Sequence, residues 1–301
     1  QGLSTVKLDL CITIVDPSDL SLDNAKKRWL EVGGDKSQHK IRWCKVLPQD
    51  LASINLAIIA TSAGGRADLV KLISNTAHVS YWVLEKVLAQ SKQELDIINA
   101  ATIDAKGTWV NMARREIDWH QQLKLKFYEQ GPLRVKKTGG LWGLACNAIH
   151  FIDLISWWTG ESLFSVNTNR LDRTWLKSIR PGYFEVTGEL LVKFSSGTEL
   201  ILQSQPNVTE DIMHIELPNK NIWTIDEVNY IAFKSKKDIF KGEHKFQSEY
   251  TGPIVTKILT NGNCELTTLK QSSEQHKFFL DAMLAHWNFS NKFNDKIVPI
   301  T

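Results

Sequence analysis

Asn55-Leu56-Ala57-Ile58-Ile59-Ala60-Thr61 is the stretch of sequence that decides the fold. It is almost continuously apolar, which is typical of a strand that is covered on both faces in a parallel sheet. After a short turn, residues 66–75 predict a helix, and a further strand, helix and strand are predicted at 79–86, 91–106 and 108–112. Strands that alternate with helices of this length indicate βαβ units and a doubly wound parallel sheet.

The same alternation extends towards the start of the chain. Residues 8–16 predict a buried strand that ends at Asp16, and residues 41–46 predict another short strand. Between them, residues 21–30 predict a helix with Ser21 as its N-cap. We therefore expect residues 1–118 to form a Rossmann-like α/β domain.

The second half has a different pattern. A helix is predicted at 119–130, and a glycine-led helix follows within the stretch 139–153. Consecutive strands without intervening helices are then predicted at 164–168, 183–194, 198–205, 211–217 and 221–225, before a final amphipathic helix at 272–287. A hairpin is expected at Ser195-Ser196-Gly197. Residues 119–301 are therefore expected to form an α+β domain with a mostly antiparallel, open sheet.

The composition excludes several classes of function. The 301 residues are 43% hydrophobic and carry a formal charge of only +3, which argues against a nucleic-acid partner or a membrane surface. The four cysteines are far apart and form no CxxC pair, so we expect neither a disulfide framework nor a metal site. We expect a cytoplasmic protein, because the cysteine usage fits a reducing compartment and no apolar run is long enough to span a membrane.

Asp16 is the first candidate for binding a cofactor. In doubly wound nucleotide-binding folds, an acid at the end of the second strand accepts hydrogen bonds from the adenosine ribose, which favours NAD over NADP. A glycine-rich loop is expected about twenty residues earlier, but GxGxxG does not occur in the sequence. Three interpretations stay open: the fold binds no dinucleotide, the first strand and loop are missing, or Asp16 only begins the turn before Pro17.

Further candidates follow the predicted strands, at the sheet edge where open α/β folds bind ligands. Ala60 and Thr61 end one strand, although Thr61 could simply cap the next helix. Glu85 and Lys86 end the following strand, where adjacent charges mark either a site or a surface pair. A lysine there could hydrogen-bond a substrate hydroxyl and stabilise the developing alkoxide.

His150 and Asp153 are the candidates in the second half. Positions i and i+3 share one face of a helix, so the two side chains can point into the same space. Histidine is suited to moving protons near neutral pH. The alternative is that His150 is a packing residue of an apolar helix.

Taken in order, these motifs resemble those of the Gfo/Idh/MocA family, the relatives of glucose–fructose oxidoreductase and inositol dehydrogenase. The resemblance implies NAD(P)-dependent oxidation or reduction of a sugar-like alcohol or nucleotide sugar. Lys86 and His150 would flank the reacting carbon, with His150 as the proton carrier. The other candidates are Asp16, Ala60, Thr61 and Glu85 for the cofactor, and Asn111, Arg114, Asn147 and Asp153 for the substrate. Arg114 and Arg115 could clamp a carboxylate or phosphate of a nucleotide sugar, or could be a solvated basic pair. NAD is expected from Asp16, and NADP stays open.

Three features depart from the family's pattern. Val87 replaces the proline of its Glu-Lys-Pro signature, Cys146 stands where an Asp often precedes the histidine by four residues, and the glycine loop is absent. The last departure predicts that the sequence is truncated at its N-terminus and binds dinucleotide poorly. The Cys146 departure motivates an alternative, a catalytically weak or silent homologue that binds a sugar-like ligand or a partner. A transferase with a Rossmann-like sheet is a third possibility, which Lys86 and His150 together disfavour.

The open sheet also predicts a partner. A sheet with an uncovered apolar face needs covering, so we expect a homodimer or homotetramer. The substrate is expected to be a small sugar-like molecule.

Overall fold

A computed structural model describes residues 1–235, 238–243 and 246–301. The first half contains five parallel strands in two groups. β1 pairs with β2, and β3, β4 and β5 form a separate sheet in the order β5-β4-β3. The elements are β1 (Cys11–Val15), α1 (Asp19–Glu31), β2 (Lys40–Cys44), β3 (Ser53–Ile59), α2 (Arg66–Thr76), β4 (His78–Leu84), α3 (Lys92–Ala101) and β5 (Gly107–Val110).

Two local expectations for this half are wrong. The N-cap of α1 is Ser18, not Ser21, because the Ser18 side chain accepts a hydrogen bond from the Ser21 backbone N–H at 3.2 Å. β3 is not covered on both faces: Ile58 is 41% exposed, and β3 is the edge strand of its sheet.

The second half is built on an eight-stranded sheet in the order β13-β12-β11-β10-β6-β9-β8-β7, in which the β6–β9 pair is parallel and the other pairs are antiparallel. The expected hairpin joins β8 to β9. The elements up to the last strand of this sheet are α4 (Asp118–Phe127), β6 (Arg134–Gly139), α5 (Leu144–Thr159), β7 (Leu163–Lys177), β8 (Phe184–Phe194), β9 (Glu199–Ser204), β10 (Ile212–Glu216), β11 (Ile222–Asp226), β12 (Ile231–Ser235) and β13 (Asp238–Lys241).

The register of this sheet separates a core face from an open face. One row of directly paired residues is buried throughout, and it consists of Val192, Leu200, Val135, Ile215 and Trp223. The neighbouring row faces outward and mixes apolar and polar side chains, namely Leu191, Ile201, Lys136, His214, Thr224 and Phe233. α5 packs against β8 and β9. Most of its residues are buried, as expected for a helix that is apolar on nearly all sides.

The chain finally returns to the first half through α6 (Gln247–Asn261), β14 (Thr267–Thr268) and α7 (Leu269–Asn291). β14 pairs antiparallel with β5, and α7 packs against α3 and also against β7. The expected fold class, a Rossmann-like parallel sheet followed by a mostly antiparallel open sheet, is confirmed. No helix within the described residues is long and apolar enough to cross a membrane.

Candidate active site

Lys86 lies where the sheet that contains β3, β4 and β5 meets the helix α5 of the second half. It follows the carboxyl end of β4 and is half-buried. Its Nζ lies 3.1 Å from Asn147 Oδ1, 3.1 Å from Cys146 Sγ and 3.2 Å from the Cys146 carbonyl oxygen. The structure therefore brings the predicted Lys86 onto the first turn of α5, next to the predicted Asn147.

A buried arginine holds the segment that carries Lys86. Arg66 is 0% exposed, and its Nη1 donates to the carbonyl oxygens of Glu85 at 2.7 Å, Leu88 at 3.1 Å and also Val87. Its Nη2 donates to the Thr61 carbonyl oxygen. Burial lowers the pKa of Arg66 to about 10, so the side chain stays charged at neutral pH.

His276 of α7 supports the same segment from the other side. Its Nε2 accepts a hydrogen bond from the Leu88 backbone N–H at 3.0 Å, while Nδ1 lies 2.8 Å from the Ser272 carbonyl oxygen. These contacts require the neutral ring with its proton on Nδ1. Burial lowers the pKa of His276 to about 4, in agreement with that assignment.

His150 lies on α5 one turn after Cys146, so it shares the helix face that meets Lys86. Burial, with the positive charges of Arg114 and Lys86, holds the pKa of His150 well below its usual range. Its Nδ1 is buried and has no hydrogen-bond partner within the described residues. His150 is therefore a neutral imidazole at pH 7 with unused hydrogen-bonding capacity.

Arg114 is held by a carboxylate. Its Nε and Nη2 donate to Glu227 Oε1 and Oε2 at 2.7 and 2.9 Å, and His120 Nε2 lies 3.3 Å from the same Oε1. The guanidinium also lies 4.7 Å from the centroid of the Phe151 ring, with the buried Lys137 at 5.7 Å from that ring. Glu227 thus fixes Arg114 on the side of α5 that carries Phe151.

Asp153 is bound by Arg115 and Thr267. It is 1% exposed, and its carboxylate accepts bidentate hydrogen bonds from Arg115 at 2.6 and 2.9 Å and a third from Thr267 Oγ1 at 2.8 Å. The sequence predicts Asp153 as a substrate ligand. In the structure its oxygens are already occupied, and they join α5 to β14.

Glu85 and Asn111 lie together at the carboxyl edge of the parallel sheet. The Asn111 side chain donates to Glu85 Oε1 at 2.6 Å, and Ala60 and Thr61 are exposed beside them at the end of β3. Asp16 lies apart from this group, at the end of β1, where its Oδ1 accepts a hydrogen bond from the Ser18 backbone N–H at 2.8 Å. Of these residues, Ala60 and Thr61 are open to solvent.

Glu185 also lies at this site, and the sequence does not predict it. It lies near the start of β8, and its Oε2 accepts hydrogen bonds from the backbone N–H groups of Ala145 at 2.8 Å and Cys146 at 3.4 Å. Burial raises the pKa of Glu185 to about 7, although these hydrogen bonds and the charge of Lys86 oppose the shift. The only signal in the sequence is a carboxylate inside a predicted strand.

Within the described residues, no cluster of His, Cys, Asp or Glu is arranged to bind a metal ion.

No protein-family profile matches the chain, and no curated protein matches it. Solved structures do resemble it. The UDP-N-acetylglucosamine 3-dehydrogenase GnnA from Acidithiobacillus ferrooxidans is 12% identical, with a TM-score of 0.64 over 94% of this chain and 99% of the other. The scyllo-inositol dehydrogenase from Lactobacillus casei, solved with bound NAD(H) and scyllo-inositol, is 16% identical, with a TM-score of 0.64 over 96% and 92%.

A third similar structure is the WlbA dehydrogenase from Chromobacterium violaceum, solved with NADH and UDP-GlcNAcA. It is 16% identical, with a TM-score of 0.62 over 92% of this chain and 86% of the other. At such identities the likeness concerns the fold. This chain therefore has the two-part fold of solved sugar and nucleotide-sugar dehydrogenases along nearly its whole length.

Proposed function

We propose that the protein is an NAD-dependent oxidoreductase that transfers a hydride between nicotinamide and a hydroxyl or keto carbon of a sugar or nucleotide-sugar derivative. The observation that carries the proposal is the position of Lys86. Its ammonium group ends β4 and meets the turn of α5 that carries Asn147, with His150 on the same helix face. Two proton-handling side chains thus come from the two halves of the fold that such an enzyme uses for cofactor and substrate.

The roles of the two residues follow from their surroundings. Lys86 would hydrogen-bond the reacting oxygen, in place of its weak contact with the Cys146 thiol, and stabilise negative charge on it. His150 is neutral at pH 7 and would accept the hydroxyl proton during oxidation or return it during reduction. Asn147 keeps Lys86 in place while the substrate oxygen enters.

The residues at the sheet edge suit one part of a dinucleotide. Bound NAD would supply the hydride acceptor, with the exposed Ala60 and Thr61 and the neighbouring Glu85 beside it. The Asp16 carboxylate would accept hydrogen bonds from the ribose hydroxyl groups, which favours NAD over NADP. The sequence contains no GxGxxG loop for the pyrophosphate. The NAD(H) and NADH bound in the similar structures support the choice of cofactor.

A sugar-like substrate is supported by the polar groups around α5 and by the ligands of the similar structures. The amide oxygens of Asn111 and Asn147 can each accept a further hydrogen bond, and Arg114 offers a guanidinium that Glu227 already orients. We assign Asp153 to holding α5 and β14 together rather than to the substrate, because Arg115 and Thr267 occupy its carboxylate.

The test is a dehydrogenase assay of the full-length protein with NAD⁺ and a panel of polyols, sugars and UDP-sugars, followed by NADH absorbance. We expect turnover with at least one of them, and a loss of about 100-fold or more in Lys86→Ala and in His150→Ala. Lys92→Ala is the matched control, because Lys92 lies on the surface and pairs with Asp281. Turnover that survives both site substitutions would contradict the proposal.

A catalytically silent homologue is the second candidate. The observation that favours it is that acceptors of α5 already surround the Lys86 ammonium, one of them a thiol. In that case a sugar from the panel would raise the melting temperature without any NADH forming. NADH formation supports the oxidoreductase, and a raised melting temperature without NADH supports the silent homologue, so the same samples distinguish the two candidates.

We also propose that a second copy of the chain covers the open face of the eight-stranded sheet. Phe233 and Ile222 are 40% and 52% exposed there. Light scattering should give a dimer or tetramer that Phe233→Glu weakens, and a wild-type monomer at micromolar concentration would exclude the idea.

A further inference from the structure

Glu185 caps the first turn of α5 from outside the helix. The first backbone N–H groups of a helix have no partner within it, and the N-cap residue here is Gly143, which has no side chain to offer. Glu185 Oε2 accepts from two of these groups, those of Ala145 and Cys146. A carboxylate is also favoured there by the helix dipole.

The local backbone makes room for this carboxylate. Gly143 has a φ of +75°, and a Cβ on it would lie 3.2 Å from Glu185 Oε1 and 3.2 Å from Asn147 Nδ2. A side chain at this position would therefore crowd both groups. The glycine is needed both for its left-handed conformation and for the space it leaves.

The strand that carries Glu185 is itself fixed at the junction. The Tyr183 hydroxyl donates to Ser62 Oγ at 3.0 Å, and the Phe184 backbone N–H donates to the Pro299 carbonyl oxygen at 2.9 Å. The first contact holds the start of β8 against the turn that follows β3, and the second holds it against the segment after α7. Glu185 thus has a defined position relative to the carboxyl edge of the parallel sheet.

The residues next to the capped amides are those that hold Lys86. Cys146 contacts Lys86 Nζ through its carbonyl oxygen and its Sγ, and Asn147 contacts it through Oδ1. Any movement of the first turn of α5 therefore moves the partners of the ammonium group. Among the described side chains, Lys86 is the charged group that bears on Glu185. Cys146 meets the carboxylate through its backbone N–H, and β7 places Leu176 opposite it.

We propose that Glu185 is a positioning residue for Lys86: its carboxylate fixes the first turn of α5 and, through Cys146 and Asn147, the place of the ammonium group. The catalytic part of this inference rests on the proposed function. When Glu185 is protonated, only a weaker neutral hydrogen bond to the turn remains, and Lys86 is held less well. Turnover should accordingly be high above pH 7 and fall below it.

The experiment compares wild-type protein, Glu185→Gln and the control Glu189→Gln between pH 5 and 9. Glu189 lies on the same strand but pairs with Arg170 and Lys136. Three NMR signals are followed in each protein: the backbone amides of Ala145 and Cys146, and the ¹³Cε of Lys86. The pH dependence of kcat is measured on the same samples.

We expect all three signals to shift together near pH 7 in the wild-type and Glu189→Gln proteins, and not in Glu185→Gln. At pH 8, kcat of Glu185→Gln should be about tenfold lower, and its inflection near pH 7 should be absent. Amides that titrate while Lys86 does not would show that Glu185 is only a helix cap, which overturns the proposal. So would an unchanged pH profile in Glu185→Gln.

The two proposals fail separately. If no substrate is turned over, the proposed function fails, and the NMR titration of Lys86 still decides the role of Glu185. If Glu185→Gln does not fold, the wild-type titration and the shorter carboxylate of Glu185→Asp provide the same readouts. A Lys86 signal that follows neither amide in these two proteins overturns the inference.

Discussion

Asn147 Oδ1 accepts a hydrogen bond from Lys86 Nζ at 3.1 Å, and this contact joins the loop after β4 to the first turn of α5. Asn147 is itself fixed, because its Nδ2 donates to the Trp142 carbonyl oxygen at 2.8 Å. The amide therefore has a defined orientation towards the ammonium group.

Asn147→Ala should lower kcat by about 10- to 100-fold, because a hydrogen bond to a charged group is worth about 1.5–3 kcal/mol. Steady-state kinetics with the substrate found in the panel would measure it. Asn99→Ala is the control, since Asn99 bonds within α3 and to Ser273, away from the site. An equal loss in both variants would mean that Asn147 acts only through stability.

Arg66→Ala should lower the free energy of unfolding by about 3–5 kcal/mol. It leaves the buried carbonyl oxygens that Arg66 now satisfies without a donor, and each such group costs about 1–3 kcal/mol. Urea denaturation would measure the loss. Arg66→Lys should restore part of it, whereas Arg42→Ala, which breaks an exposed pair with Asp50, should leave the midpoint unchanged. A stable Arg66→Ala protein would contradict the role given to this residue.

Asp153→Asn separates a structural role from a substrate-binding role. It leaves the buried Arg115 cation without its partner, so we expect a loss of about 3–5 kcal/mol in unfolding free energy. Thermal unfolding would detect it, with Asp23→Asn on the surface as control. A raised KM with unchanged stability would instead favour the substrate role predicted from the sequence.

His276 should make the folded protein less stable as the pH drops from 6.5 towards 4. The pKa of His276 is lowered to about 4 in the folded protein against about 6.5 when unfolded, so the unfolded state binds the extra proton in this window. Each unit of pKa difference corresponds to about 1.4 kcal/mol of unfolding free energy. His276 therefore accounts for up to about 3 kcal/mol of stability, which is present above pH 6.5 and is lost as the pH falls to 4.

Denaturation at a series of pH values would measure this slope. His276→Gln lacks the titrating ring and should depend less on acid pH than the wild-type protein. The lowered pKa values of His120, His150, His286 and Glu227 also reduce the stability at low pH, whereas the raised pKa of Glu185 acts in the opposite direction. Identical slopes in the two proteins would exclude His276 as a source of the acid sensitivity.

The fold class could be predicted because it depends on local pattern. The apolar run in β3 and the glycine-bounded helix α5 are visible in the sequence, and both exist. No helix is predicted from the sequence where α6 lies, and Gly252-Pro253 is a pair that is typical of turns. In the structure Pro253 lies inside the helix, and Gly252 lets it approach Gly2 so closely that a Cβ would come within 2.6 Å of the Gly2 carbonyl oxygen. Such an approach depends on residues far apart in the chain.

The same reason explains why the sequence does not predict the roles of Arg66 and Glu185 in the site. Lys86 and His150 could be found from their positions after a strand and on a helix. Arg66 and Glu185 act through contacts that only the folded chain makes: Arg66 binds carbonyl oxygens around Lys86, and Glu185 binds amides 39 and 40 residues earlier. Neither contact leaves a periodic pattern, so a charged residue in a predicted helix or strand resembles a surface residue.

The hydrogen bond between Leu88 and His276 spans 188 residues. During synthesis on the ribosome, the segment that carries Lys86 emerges long before its supporting histidine does, and the contact can close only after the chain has been made as far as His276. Closing so long a loop is slow compared with the formation of a helix or hairpin. Lys86 is therefore translated long before the residue that supports its segment, and its surroundings are among the last parts of the candidate site to be locked in place.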